Sequence, residues 1–529
     1  MISLRAGVDG RPPRALVGFA AVVAVLFAGP LLYLAIRVTG LGADALDVLG
    51  SDDALGPLLR TLLLATTVAG ACAVLGTSLA WLVVRTDLPA RRVLRIVLVL
   101  PLVIPSFVGA VALQAAFATG GLLDRAVGFG APPRLEGFWA AFGVLTLLSY
   151  PYVFLPVAAR LATLPPSLEE AALSLGRRPR DVFRTIVLPQ TRGAAAAGTL
   201  LTFLYCVSEF GAVSIVRFDT LTLRIEATRL FDRTTSLTLS LLLAVVALTV
   251  VITERRLSRR QTEVEASAGG RPSLQNRLGP WRIPAFLLAA SVPLVAVVAP
   301  VAVLAEWAAR GDGSRLGGAG DVDDLLTPVL HTAGVSLVTA VLAVTAVLPL
   351  AYLTVRHRSR IGGAVNALVI SGFALPGLVI ALALVYWVLG TPVVSGLYQS
   401  FALLVFAYVV HFGAQAMRAS QVAVGGLPRR FEDAARSLGA GRVRRFRTIE
   451  LPLMAPGLAA GGGLVLLATM KELPATLLLA PIGFETLATR VWSATESGSL
   501  ARAGLASLAL VALTAVLTWL LTIRRMERV

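Results

Sequence analysis

Lysine is almost missing from this chain: Lys471 is the single one, set against 46 arginines. An ATP-binding loop of the form Gly-x4-Gly-Lys-Ser/Thr needs its lysine on the phosphates, and "TMKELP" around Lys471 is no such loop. Any ATP hydrolysis that drives this protein must therefore come from another chain. Cysteine is nearly as scarce. Cys72 and Cys206 both fall in apolar runs, without metal-ligand neighbours at a useful spacing, and read as small buried hydrophobes. The three histidines, His331, His357 and His411, are scattered, and His411 is the one read as lying within a span. There is no His-Glu-x-x-His and no Gly-x-Ser-x-Gly elbow, which leaves a membrane enzyme without a catalytic motif.

Apolar sequence is abundant. Of 529 residues 57% are hydrophobic, and the mean hydropathy is +0.81. Stretches near the ~20 residues needed to cross a hydrocarbon core recur along the whole chain. About twelve are expected, at 15–36, 58–84, 93–117, 138–159, 194–216, 236–253, 283–305, 329–355, 364–389, 400–417, 456–480 and 503–523. The fold class is an all-α polytopic membrane protein. The first run follows a basic end, but it is long for a signal-peptide core and has no clear small-residue cleavage site, so it reads as a retained helix.

The net charge of +17 is explained by topology rather than by nucleic acid. With the N-terminus cytoplasmic and loops alternating, 34 basic and 12 acidic residues fall inside, net +22, against −5 outside. Cytoplasmic loops are expected to be rich in Lys and Arg, and the reverse orientation would break that rule at nearly every loop. Both termini are then cytoplasmic, and no nucleic-acid partner is expected.

The chain also repeats itself. "EEAALSLGRRPRDVFRTIVLP" from Glu169 and "EDAARSLGAGRVRRFRTIELP" from Glu432 share 12 of 21 positions, at an offset of 263. Upstream, the stretch from Leu58 aligns with that from Val329 at an offset of 271, placing Thr61 on Thr332, Arg85 on Arg356 and Pro105 on Pro376. Downstream, Gly176 meets Gly439 and Glu209 meets Glu472. Six spans per half make the duplication parallel, about an axis along the membrane normal. Residues 1–253 form the first repeat and 283–529 the second. The polar, Gly/Ser/Pro-containing 254–282 is a cytoplasmic linker.

Each copy of the doubled segment lies on the cytoplasmic side, between the fourth and fifth spans of its half. In the first, Ser167 with Glu170 has the form of a capping box that would start a short helix. Gly176 suits the left-handed position that ends it, and Ala171 with Ala172 allows close approach by a partner. Pro189 is expected to break the chain before the fifth span. Two basic amphipathic loops on the membrane surface are the alternative, but lipid attraction alone would not require the retained order Ala-Ala, Ser-Leu-Gly and Arg-Thr-Ile-x-Leu-Pro.

These segments, near 165–189 and 428–452, resemble the EAA loops of ABC-importer permeases. The resemblance covers most of the chain and implies two fused six-helix permease repeats. In that family the loop docks into a cleft of an ATPase subunit. It therefore implies coupling roles for Glu169, Glu170, Ala171, Ala172 and Gly176, and for Glu432, Asp433, Ala434, Ala435 and Gly439. The implied partners are two copies of an ABC ATPase, which carry ATP and Mg, and an extracytoplasmic substrate-binding protein. This chain would bind no cofactor and would sit in the bacterial inner membrane. "KELPATLLLAPIGFETLATRVW" after the second loop, with "SEFGAVSI" in the first half, is similar to fused ferric-iron importer permeases, so ferric iron is the implied substrate. Thiamine, phosphonate, polyamine and sulfate permeases are related alternatives, and the metal ligands are left unknown.

Glu209, Lys471 and Glu472 are ionisable residues near membrane depth, where charge is costly and usually faces a cavity or a partner. Gly211 and Pro474 follow at equivalent sites, where each helix can break. One reading places a pseudo-symmetric carboxylate pair at the translocation path or its gate. The other places these residues at the membrane interface, with Glu472 paired to an arginine such as Arg490. An ion-gradient-driven secondary transporter can also have two six-helix halves, but it gives no reason for docking motifs in both.

Overall fold

The computed structural model describes residues 13–128, 135–259, 276–310, 322–357 and 360–520. Among these the chain is helical, with a single isolated bridge between Thr86 and Asn276. Each half follows one plan. The first half runs Arg14–Thr39, Asp52–Arg85, a broken third span, Phe138–Thr163, the short helix Pro166–Ser174, a fifth span ending at Val207, and Arg233–Arg259. The second runs Gly279–Arg310, Val322–Arg356, a broken third span, Phe401–Gly425, the short helix Arg429–Ser437, a fifth span ending at Met470, and Leu500–Thr518.

Nine helices among the described residues are long and apolar enough to span a membrane, or ten if a bent pair counts as one. The expected twelve differ at three places. The third span of the first half bends by 91° between Arg91–Val103 and Ser106–Phe117. Pro105 pushes Ile104 out of helical geometry, to ψ 120°. At the equivalent Pro376, Arg360–Ala374 gives way to Gly377–Leu389. The fifth span of the first half, expected at 194–216, is Leu188–Val207, and Arg192 with a run of alanines makes it only weakly apolar.

Pro189 does not break the fifth span. One wide π-turn, Phe183–Val187, runs directly into Leu188–Val207, with the Leu188 amide bonded to the Phe183 carbonyl. Phe446–Glu450 repeats this before Pro452. The wider turn relieves the clash between a proline ring and the carbonyl four residues back. The sixth span's apolar stretch ends at Thr253, as expected, while its helix continues to Arg259, six residues into the linker. The linker's 260–275 stretch lies outside the described residues. Its end is fastened: Asn276 N donates to Arg85 O (2.8 Å) and Leu278 N to Asp87 Oδ1 (2.9 Å).

Each half lends its first span to the other. Arg14–Thr39 packs on the second and third spans of the second half. The Phe27 ring lies against Gly413, where any side chain would collide with it. In return Ala299–Arg310 packs on Ser106–Phe117, with Trp307 Nε1 donating to Ala115 O at 2.9 Å. Close backbone approach through small residues is the usual basis of helix packing in lipid. Gly457 and Gly461 meet Ala423 and Ala419 in this way.

Candidate functional site

The ends of the two halves that carry the doubled segment repeat the same local chemistry. Pro165 and Pro428 stand before the two short helices, and neither offers a side-chain cap. The expected Ser167–Glu170 capping box is not formed. Pro166 starts the helix with its fixed φ, which leaves Ser167 inside the first turn. The far ends are as expected: Gly176 and Gly439 take φ +79° and +76°. Arg177 N reaches Ala172 O (3.1 Å) and Ala440 N reaches Ala435 O (3.0 Å), satisfying carbonyls that a helix end leaves orphaned.

The acidic residues of each motif divide their work. Glu169 is 6% exposed, and its carboxylate lies 2.9 Å from Arg85 Nη1. Glu432 lies 2.7 Å from Arg356 Nη2. These arginines are repeat-mates, and each ends the second span of its half. Burial pushes the Glu169 carboxyl above its ordinary range, against the opposing pull of Arg85. Ala172 and Ala435 are buried. Glu170, Asp433, Ala171 and Ala434 face outward instead. The first acid and the second alanine thus seat each short helix on its own half, leaving the other acid and alanine for a partner.

Two leucines complete the outward face. Leu175 and Leu438, directly before the glycines, are 84% and 87% exposed. They are identical in both repeats, but sequence alone could not distinguish an exposed leucine from a seated one. The seats themselves differ. In the first half Trp81 packs edge-on against Phe183, with ring centroids 5.5 Å apart. In the second, Tyr352 replaces Trp81 and donates to Glu450 (2.7 Å), which also accepts from Arg445 Nε (2.5 Å).

At membrane depth both fifth spans stop, at Val207 and Met470, and short helices resume at Gly211–Ile215 and Pro474–Leu479. Glu209 Oε1 accepts from Ala212 N and Ser106 Oγ, both at 2.9 Å. Glu472 Oε1 accepts from Ala475 N at 3.2 Å. Each carboxylate therefore caps amides that a helix start leaves unpaired. Arg490 does not pair with Glu472. It holds Glu485 at 3.0 Å, while His411 Nε2 lies 3.9 Å from Glu472 Oε2.

Lys471 crosses between the halves. Its Nζ donates to Leu102 O at 2.8 Å, in the 3₁₀ turn that precedes the Pro105 bend. A cavity of about 210 Å³ opens beside these groups, lined from both halves by Phe210, Ser214, Arg229, Leu378, Pro474 and Trp492. Among the described residues no three His, Cys, Asp or Glu side chains are grouped to hold a metal.

The family described as "Binding-protein-dependent transport system inner membrane component" matches residues 72–260 and 346–524, one stretch in each half. The chain belongs to this family. As a permease of this kind it is the inner-membrane component of its transport system, and each matched stretch carries one of the short helices and one glutamate at a helix break. The permease is similar to the Fe(3+)-transport system permease protein FbpB 2 of Haemophilus influenzae, 32% identical over 516 residues, covering 97% of this chain and 98% of that protein. It is also similar to the molybdenum transport system permease protein ModB of Mycobacterium tuberculosis, 33% identical over 247 residues, which are 44% of this chain and 90% of ModB. The sulfate transport system permease protein CysT of Salmonella typhimurium is 29% identical over 191 residues, 35% of this chain and 68% of CysT.

Proposed function

We propose that this permease imports ferric iron by alternating access, driven by two copies of a separate ATPase and fed by an extracytoplasmic binding protein. The observation that carries the substrate is likeness along the full length to an Fe(3+) permease of the same two-half build. Permeases named for molybdenum and sulfate align with only one half's length of this chain, so an oxyanion is the second reading. The paired docking helices, each with an exposed leucine, acid and alanine, support one ATPase subunit per half. ATP and Mg would be held by those subunits, and both termini would lie in the cytoplasm with them.

Radiolabelled ferric iron uptake is to be measured in iron-starved cells lacking the gene, then after restoring the native chain or an Asp433→Ala/Leu438→Ala variant, whose two changes fall on exposed side chains. Rescue by the native chain alone is expected. Iron uptake that never depended on the gene would overturn the substrate, and equal rescue by both chains would overturn the second docking site.

Glu209, Glu472 and Lys471 act in this proposal as the gate between the halves, because one carboxylate stands at each helix break and the lysine ties the second half to the first. Lys471→Met leaves the Leu102 carbonyl without its donor, a loss of about 1–3 kcal/mol for a buried group. The expected readout is faster basal ATPase activity in the absence of binding protein. An unchanged basal rate would mean that the lysine bond does not hold the gate.

A further inference from the structure

The fourth span of the second half, Phe401–Gly425, contacts protein on all but one sector. Gln421 donates to Thr354 and Asn366 of the neighbouring second and third spans, Gly413 meets Phe27, and Ala419 and Ala423 meet the fifth span. At 100° per residue, the sector left over carries His411, Gln415, Arg418 and Val422. His411, at its upper end, is the residue beside Glu472, so the stripe descends from the gate towards the cytoplasm. Arg418 is exposed on it and makes no ion pair among the described residues. It lies seven residues, or about 10 Å, inside the helix end.

The first half has the same stripe without the charge. The repeat-mates of His411, Gln415, Arg418 and Val422 are Leu148, Tyr152, Leu155 and Ala159, and Leu155 is exposed where Arg418 stands. The nearby charges already have work: Glu209 and Glu472 accept from amides at the starts of the short helices, and Lys471 donates to Leu102. An arginine without an ion pair on a membrane-spanning helix is relieved by a counter-charge or water. A guanidinium presents a planar fork of donors that matches carboxylate and phosphate-like oxyanions.

We propose that the substrate crosses with net negative charge, as ferric iron accompanied by a carboxylate or oxyanion ligand, and that Arg418 is the specificity-determining residue that meets that charge. This rests on the proposed import of iron through the space between the halves. It implies that the second half provides the polar wall of the path and the first half the apolar one.

The test uses the complete transporter, with permease, ATPase and binding protein, in proteoliposomes given ⁵⁵Fe(III) chelated by [¹⁴C]citrate. Both labels are expected to accumulate together. Arg418→Leu, which installs the first half's residue, should lower uptake at least about tenfold, the scale of one lost charge contact in a partly wet path. Its ATPase should remain responsive to the loaded binding protein. Arg418→Lys should keep most of the uptake, so a lysine variant as poor as the leucine one would overturn the argument from charge. Iron entering without carbon label, or a leucine variant moving both labels at the native rate, would overturn it too. Should the native complex carry [³⁵S]sulfate and no iron, with sulfate uptake lost in Arg418→Leu, the anion reading would stand and the iron reading would fall. Sulfate carried equally by both chains would overturn the role of Arg418.

Discussion

Glu169→Ala should leave little folded permease in the membrane, whereas Glu170→Ala, one residue away, should leave its amount nearly unchanged. The side chain of Arg85 is 1% exposed, and Glu169 is its ion-pair partner. Removing one member of a buried pair strands the other charge, at a cost of about 3–5 kcal/mol, against a total stability of only ~5–15 kcal/mol for a typical domain. The double variant Arg85→Met/Glu169→Leu removes both charges together and should recover much of the loss. Thermal unfolding of purified protein, with membrane abundance, would check this. A single Glu169→Ala variant as stable as the native chain would show that the pair does not seat the helix.

The second large effect is expected at the outward face. Leu175→Arg with Leu438→Arg should abolish transport while leaving the permease folded, since both side chains are already more than four-fifths exposed. A buried apolar anchor at an interface contributes at least about 2 kcal/mol when it is a hot spot, or about 30-fold in affinity at each docking helix. Co-purification of the ATPase and stimulation of its activity by the binding protein should fall together. Retained stimulation would mean that the partner grips some other surface. The glycines behind these leucines act differently. A Cβ at Gly439 would meet nothing within 4 Å, so a substitution there is resisted by the left-handed backbone and not by packing within the permease.

Much of this was legible from the residues. Apolar run length pointed to the all-helical membrane class, and the doubled Glu-Asp/Glu-Ala-Ala segment located both short helices. The helix breaks at Gly211 and Pro474 followed from their equivalent places beside Glu209 and Glu472. What was not legible was direction. Both acids of each motif looked alike in sequence, yet one turns inward to an arginine more than 70 residues away in the chain. The aligned pair Arg85 and Arg356 was the available signal, and it lacked only a partner. Local rules also misled where two of them competed. Ser167 had the spacing of a cap, but Pro166 set the helix start. Pro189 had the chemistry of a breaker, but one extra residue in the preceding turn absorbed it. Arg490 seemed a natural partner for Glu472 until the chain placed Glu485 within its reach.

The exchange of first spans has a consequence for how the molecule is made. Phe27 finds its place against Gly413, a residue that leaves the ribosome 386 positions later. At ~5–20 residues per second, the first helix waits roughly 20 to 80 s in the bilayer before this partner in the other half exists, with only its own half's sixth span to pack on meanwhile. During that time lipid, an insertase or a neighbouring nascent helix must cover the face that will later hold the two halves together.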